Sequence, residues 1–325
     1  MAEFPANKWL GYTINLCRLV PTHTDHVSKF VQTNHHFLEF DVQNTRPVTI
    51  GGKAYAVPKD ISVSQNLLGG ETFVTFPSGQ DATNKLKTDH TLLPRLYPVV
   101  GKDDSVSRAV YQSLSSDLQY AFYSFREPKY IATIENCKDL LNESVLLQYL
   151  RDLPPSFDGE NPEVVNKYKG FFSLWGSHVV TGAEYGSWLQ IAFGSQHIWG
   201  SNDNSEIKAA WTEDVKADYD GIPSGGHYDP NIKSTPQYKD YQQIRSSDVS
   251  ISGGDTNLAI NLHSNKDYKS FEAWQATANQ PSTKPSSFSL TEVWTLVGLS
   301  DNVELARFAL PLYKAYQWIM AHPSK

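Results

Sequence analysis

The sharpest alternation of hydrophobic and polar positions lies in residues 206–220, Glu-Ile-Lys-Ala-Ala-Trp-Thr-Glu-Asp-Val-Lys-Ala-Asp-Tyr-Asp. Odd positions read Ile207, Ala209, Trp211, Glu213, Val215, Ala217 and Tyr219. Even positions read Glu206, Lys208, Ala210, Thr212, Asp214, Lys216, Asp218 and Asp220. Only Glu213 and Ala210 break the period of two, which is that of a barrel strand with one face to lipid and one to water. The same residues satisfy a helix, because Ile207, Trp211, Val215 and Tyr219 stand four apart and Ala, Glu and Lys favour helix. A surface helix laying those four side chains on a core gives the same stripe. Consistency normally selects one structure for a sequence, so a segment that fits both periods suits a chain that refolds. As a strand its length is about 50 Å, more than the roughly 9–11 residues of a tilted transmembrane strand require.

The rest of the chain divides more plainly. Residues 45–58 place Gly51-Gly52 between two β-prone runs, which predicts a hairpin, and 61–76 continue in that style with Gly69-Gly70 as a turn. Residues 77–118 change character: Ser78 has the flavour of a helix cap, and Val106, Ala109, Val110, Leu114 and Leu118 recur at helical spacing. Pro94 and Pro98 predict several short helices there rather than one. Residues 119–134 are aromatic and β-branched, hence strand. Leu140 to Leu150 predict an amphipathic helix, and 161–174 a second, with Pro162 in its first turn. A long strand follows over 179–193. Residues 248–253 alternate into Gly253-Gly254, residues 268–274 read as helix, and 302–320 as a closing amphipathic helix with a kink at Pro311.

Composition narrows the functional classes. The chain has 325 residues, 40% hydrophobic and 12% aromatic, as a globular protein does. A formal net charge of −7 argues against a nucleic-acid partner and against simple adsorption to anionic lipid. No apolar run approaches the ~20 residues of a spanning helix. Met1-Ala-Glu-Phe-Pro5 does not read as a signal peptide, so the expectation is a secreted or released protein whose leader has been removed or that leaves its cell by another route. The two cysteines, Cys17 and Cys137, fit neither a disulfide framework nor a metal site.

Candidate chemistry is sparse. His23, His26, His35 and His36 lack companion ligands, no Gly-x-Ser-x-Gly motif is present, and the Gly-Gly pairs match no phosphate loop. The expectation is a protein with no catalytic residues, metal or cofactor.

One motif is informative. Trp175-Gly176-Ser177-His178, followed at the right distance by Gly186, resembles the signature of the membrane-attack-complex/perforin (MACPF) family. Two positions depart from the pattern: Val179 stands for an aromatic residue, and Ser187 for a second glycine. The order of elements over roughly residues 50–320 is also similar to the family's, including Tyr149-Leu-Arg-Asp-Leu-Pro154 before the signature and Gly253-Gly254, Trp274 and residues 288–297 after it.

The resemblance implies an α+β fold, a bent four-stranded antiparallel sheet flanked by two clusters of short helices, at about residues 77–118 and 196–247. It implies a single domain over 1–325, with 1–45 as an N-terminal extension. The implied function is that of a soluble protein that forms a homo-oligomeric ring on a target lipid membrane and unfurls both clusters into a β-barrel. Ile207, Ala209, Trp211, Val215, Ala217 and Tyr219 would be the membrane-inserting positions, and Gly186, Gly253 and Gly254 the hinge. No targeting module follows residue 325, so either a separate partner protein or the first ~45 residues, with Trp9, Tyr12 and Phe37, would recognise the membrane. The alternative is a non-lytic binding or regulatory protein on the same fold. Pro94, Pro98, Pro236 and Ser187 favour it, since proline interrupts a ladder.

Overall fold

The computed structural model describes residues 1–18, 24–65, 67–89, 91–101, 104–111, 114–115, 117–196, 204–216, 226–265, 267–278 and 284–323. The amino-terminal strands are short. β1 (Ala2–Glu3), β2 (Thr13–Ile14) and, after α1 (Thr24–Lys29), β3 (Val31–Gln32) precede the predicted hairpin of β4 (Thr45–Ile50) and β5 (Lys53–Pro58). β1 adds to β5 in parallel, giving a three-stranded sheet beside the main one. β2 pairs with the start of the signature strand at His178 and Val179. Trp9 meets the Phe288 ring at 5.8 Å and Phe37 is fully buried, so these aromatics of the first 45 residues are committed to the core.

Two long antiparallel strands form the spine of the molecule. β9 (Leu118–Ile134) pairs with β10 (His178–Gln196) from Leu118↔Gln196 to Thr133↔Gly182. On the outer side of β9 lie two shorter strands, β6 (Ile61–Gln65) against its far end and β7 (Gly70–Phe76) against its beginning. On the outer side of β10, β11 (Ser246–Ser252) and β12 (Ser287–Glu292) divide the length in the same way. The expected four antiparallel strand paths are therefore present, the outer two each interrupted once. β8 (Val99–Gly101), inside the first helical stretch, joins β12 in parallel and closes that edge. β7 and β11 pair with no strand on their outer sides among the described residues.

Alternation along the strands sends side chains to both faces of this sheet. Ala121, Tyr123, Phe125, Leu189, Ile191 and Phe193 share one face with Phe73 and Val249, beneath helices α7 (Asn204–Val215), α8 (Pro236–Ile244), α9 (Thr256–Asn265) and α10 (Tyr268–Gln275). Tyr120, Phe122 and Phe76 face the other way, toward α2 (Gly79–Thr88), α3 (Leu93–Leu96) and α4 (Asp104–Tyr111). The far half of the sheet rests on α5 (Glu143–Leu150), α6 (Pro162–Trp175), α11 (Val293–Gly298), α12 (Val303–Ala306) and α13 (Ala309–Ala321).

Local chemistry sets the ends of these helices. The Oγ of Ser78 accepts from the N–H of Asp81 to open α2, Asn161 caps α6 ahead of Pro162, and Thr235 caps α8 ahead of Pro236. Proline at the first helical position gives up only an N–H that had no partner there. Pro236 thus starts a helix. The predicted closing helix is two, α12 and α13, with Pro311 in the first turn of the second rather than at a kink.

Candidate functional site

The candidate site is the place where the ladder between the two long strands is broken by a bulge, at the position expected for the hinge. Tyr185 faces Tyr130, but the next residue, Gly186, faces Pro128, so Lys129 is left over as a bulge. Proline brings no N–H to the ladder, and a bulge sharpens the local twist. Backbones crowd together here. A Cβ on Gly186 would stand 2.3 Å from the carbonyl oxygen of Glu127 and 2.6 Å from the Cα of Pro128. One on Gly253, whose φ is +78°, would stand 2.1 Å from the carbonyl oxygen of Gly186. One on Gly69 would stand 2.5 Å from the carbonyl oxygen of Arg126. Gly69, Pro128, Gly186 and Gly253 thus mark one line across all four strand paths, and both outer paths break on it.

Side chains fasten the bend on each face. Trp274 of α10 donates its indole N–H to the carbonyl of Gly253 at 3.1 Å and covers Gly254. Ser187, buried at 1% exposure, donates its hydroxyl to the carbonyl of Ala278 at 2.9 Å. The serine that replaces the expected glycine therefore ties the signature strand to the end of α10. On the opposite face the Arg126 guanidinium pairs with Glu184, donates to the carbonyl of Pro94 in α3, and lies 5.4 Å from the Trp188 ring.

The rest of the signature lies at the start of β10. Trp175 is buried against Phe37, Tyr149 and His35. Gly176 caps α6 at φ +73°, where a Cβ would strike Thr13 at 2.8 Å, so only glycine lets β2 approach. Ser177 and His178 are fully buried. The Oγ of Ser177 accepts from the N–H of Leu16 at 2.9 Å and lies 2.8 Å from His178 Nδ1. His178 Nε2 is 2.7 Å from the Oγ of Ser105 on α4, and that hydroxyl donates to Glu292 Oε1 at 3.0 Å. Trp294 and Tyr316 close over the ring edge-on, at 5.6 and 5.5 Å. His178 and Glu292 are 0% and 1% exposed. Sequence reading found Ser177 and His178 but not Ser105 or Glu292, whose partners are 73 and 187 residues away.

The alternating segment adopts its helical period as α7, which holds Ile207 and buries Ala209, Trp211 and Val215 in the sheet-facing core. Ala217 and Tyr219 lie outside the described residues. The helix is covered on its polar side as well, since Thr212, Glu213 and Asp214 are buried. Asp214 accepts from Tyr238 at 3.1 Å, Tyr241 at 2.6 Å, Gln242 at 2.9 Å and Arg245. Glu213 pairs with Lys233 at 2.7 Å. Burial and the neighbouring Asp214 carboxylate push the Tyr241 hydroxyl well above its ordinary pKa, so it stays a donor. Among the described residues no metal-binding cluster forms; His35 stacks on Trp175 and His36 on Tyr12.

No protein-family model matches the chain, and no curated protein is similar to it in sequence. Solved structures are similar in fold. GNIP1Aa from Chromobacterium piscinae superposes with a TM-score of 0.58 at 11% identity, over 97% of this chain and 56% of that one. A putative cell invasion protein with a MAC/Perforin domain from Bacteriodes thetaiotaomicron does so with a TM-score of 0.51 at 12% identity, over 97% of this chain and 61% of that one. The chain spans less than two thirds of either relative. At these identities the likeness is one of fold, and the fold is the one the signature implied.

Proposed function

We propose that this MACPF-like chain is a pore-forming protein, which assembles into rings on a lipid membrane and converts its two helical clusters into strands of a β-barrel. The observation that carries the reading is the line of close backbone contacts at Gly69, Pro128, Gly186 and Gly253, with helices packed on both faces of the sheet to one side of it. That half ends in β7 and β11, whose outer backbone groups have no strand partner among the described residues. Edges of this kind invite pairing with another chain, and only a closed barrel hides strand backbone from lipid. α9 packs beside β11 and would have to swing aside to admit a neighbour.

Magnitudes favour a transition that waits for the membrane. Withdrawing a buried tryptophan such as Trp211 exposes some 150–250 Å², which costs about 4–6 kcal/mol in water at 25 cal/mol per Å². Lipid in place of water removes that cost.

A non-lytic binding protein is the second reading, favoured by the ties of Ser187 to Ala278 and of Arg126 to Glu184 that brace the bend. One experiment separates the two. The Ser187→Cys, Ala278→Cys pair places two thiols where the Ser187 hydroxyl meets the Ala278 backbone at 2.9 Å, to be oxidised into a disulfide that locks the segment after α10 to the signature strand. Dye release from vesicles of phosphatidylcholine, cholesterol or whole-cell lipid extract is expected from the reduced protein and not from the oxidised one. Equal release by both would sink the refolding step. Absence of release from every vesicle, with and without candidate partner proteins, would favour the non-lytic reading.

A further inference from the structure

We infer that the signature histidine is the central link of a buried latch, which fastens the first helical cluster to the floor of the sheet through Ser105. The hydrogen bonds run in one direction. The hydroxyl of Ser105 donates its single proton to Glu292, 3.0 Å away. His178 Nε2, at 2.7 Å from the same oxygen, is then the donor to Ser105. With the ring neutral, Nδ1 is the acceptor for the Ser177 hydroxyl at 2.8 Å, which also lies 3.4 Å from the Ile14 carbonyl. The chain reads Ser177 to His178 to Ser105 to Glu292, with Thr295 donating to the second carboxylate oxygen at 3.3 Å.

The placement gives this chain its role. Ser177 precedes β10 and His178 opens it, and Glu292 ends β12 in register with His178. Ser105 belongs to neither strand: it stands in the first turn of α4, inside the stretch expected to unfurl. Tyr316 of α13 fixes the same residue a second time, donating to its carbonyl at 3.0 Å. α4 is held by buried polar contacts to parts of the protein that stay folded. α7 differs, for its polar contacts among the described residues run to 227–245 within its own cluster. Removing Ser105 deletes the hydroxyl that His178 Nε2 and Glu292 share, and loss of a buried hydrogen bond to such groups is costly. Departure of α4 is thereby coupled to the signature.

Amide hydrogen exchange on the full chain in solution, without lipid, tests the latch independently of pore formation. Ser105→Ala is expected to speed exchange over 104–111 by about tenfold or more relative to the rest of the sheet. Glu292→Gln keeps an acceptor oxygen for Ser105 and is expected to retain most of the protection. Thr181→Val is the control, because it deletes a buried 2.9 Å hydroxyl pair with Thr291 between the same two strands without touching α4. Nitrogen NMR of His178 is expected to show the proton on Nε2, with Nδ1 bare. Equal loosening of 104–111 by Ser105→Ala and Thr181→Val, or a proton on Nδ1, overturns the latch. The link to insertion rests on the pore-forming reading and has its own readout: Ser105→Ala should release dye faster than the parent. If neither protein releases dye, the pore reading fails while the exchange result still decides the latch.

Discussion

Gly186 can carry no side chain in this fold. Its missing Cβ would meet two backbone atoms of the neighbouring strand, at 2.3 and 2.6 Å, and backbone cannot step aside as a flexible side chain can. Gly186→Ala is therefore expected to destabilise by roughly 3 kcal/mol or more, in the range of strained and overpacked sites. Gly170, in the exposed side of α6, has nothing within 4 Å of its would-be Cβ. Gly170→Ala should stabilise by about 0.5–1 kcal/mol through helix propensity. Denaturant midpoints of the two variants, read against the parent, should move in opposite directions. Cys17 allows a second prediction at this scale. Burial pushes its thiol from 9.0 up to about 12, outweighing the nearby Arg18 charge. The folded state prefers the neutral thiol, so this contribution is complete below pH 9 and fades as pH climbs toward 12. Native protein should resist maleimide at Cys17 at pH 8–9, and unfolded protein should react at once. Cys17 is only half-buried, so rapid native labelling at that residue would contradict the raised pKa rather than its access.

At the scale of elements, α7 shows why a period of two and a period of four coexist in one segment. In the folded protein the four-residue stripe wins, because Trp211 and Val215 fill the core over the sheet. The opposite side is not left to water: one buried carboxylate, Asp214, gathers two tyrosines, a glutamine and an arginine from the α8 region. Removing one member of a buried ion pair costs roughly 3–5 kcal/mol, and Arg245, with its side chain 26% exposed, recovers part of that by hydration. Asp214→Asn is thus expected to lose about 2–3 kcal/mol, with faster amide exchange in 204–215 and 236–244 and little change in the half of the sheet carrying β12. If the whole protein loosened evenly, the idea that these helices form one unit would fail.

For the molecule as a whole, the bend separates two kinds of packing. Beyond it the strands lie against α5, α6 and α13, β8 adds to β12, and β6 and β8 are the outermost strands among the described residues. Before it, two helical layers cover the sheet and both outer strands lack strand partners among the described residues. On the proposed reading, pairing of β7 with the β11 edge of a second copy would be head-to-tail, which builds rings where the rotation closes. Electron micrographs of the oxidised Ser187→Cys, Ala278→Cys protein on vesicles should therefore show no rings, with rings returning on reduction. Rings in the oxidised sample would mean that assembly needs no movement of α10.

The sequence by itself determined the elements that depend on near neighbours. Gly51-Gly52 announced a hairpin, Ser78 and Pro162 announced helix starts, and the aromatic and β-branched run over 119–134 matched β9 almost to the residue. The signature motif also carried the fold. Pro236 was legible as a ladder-breaker but not as a helix start, because only the Thr235 cap decides between them. Tertiary structure alone decided which of its two periods α7 would adopt, since that depends on a core assembled from distant strands. It alone brought Ser105 and Glu292 to His178, and it alone set Gly69 and Pro128 beside Gly186. Local sequence encodes a preference of backbone and burial, whereas a hydrogen bond between residues 187 positions apart exists only once the sheet has set its register.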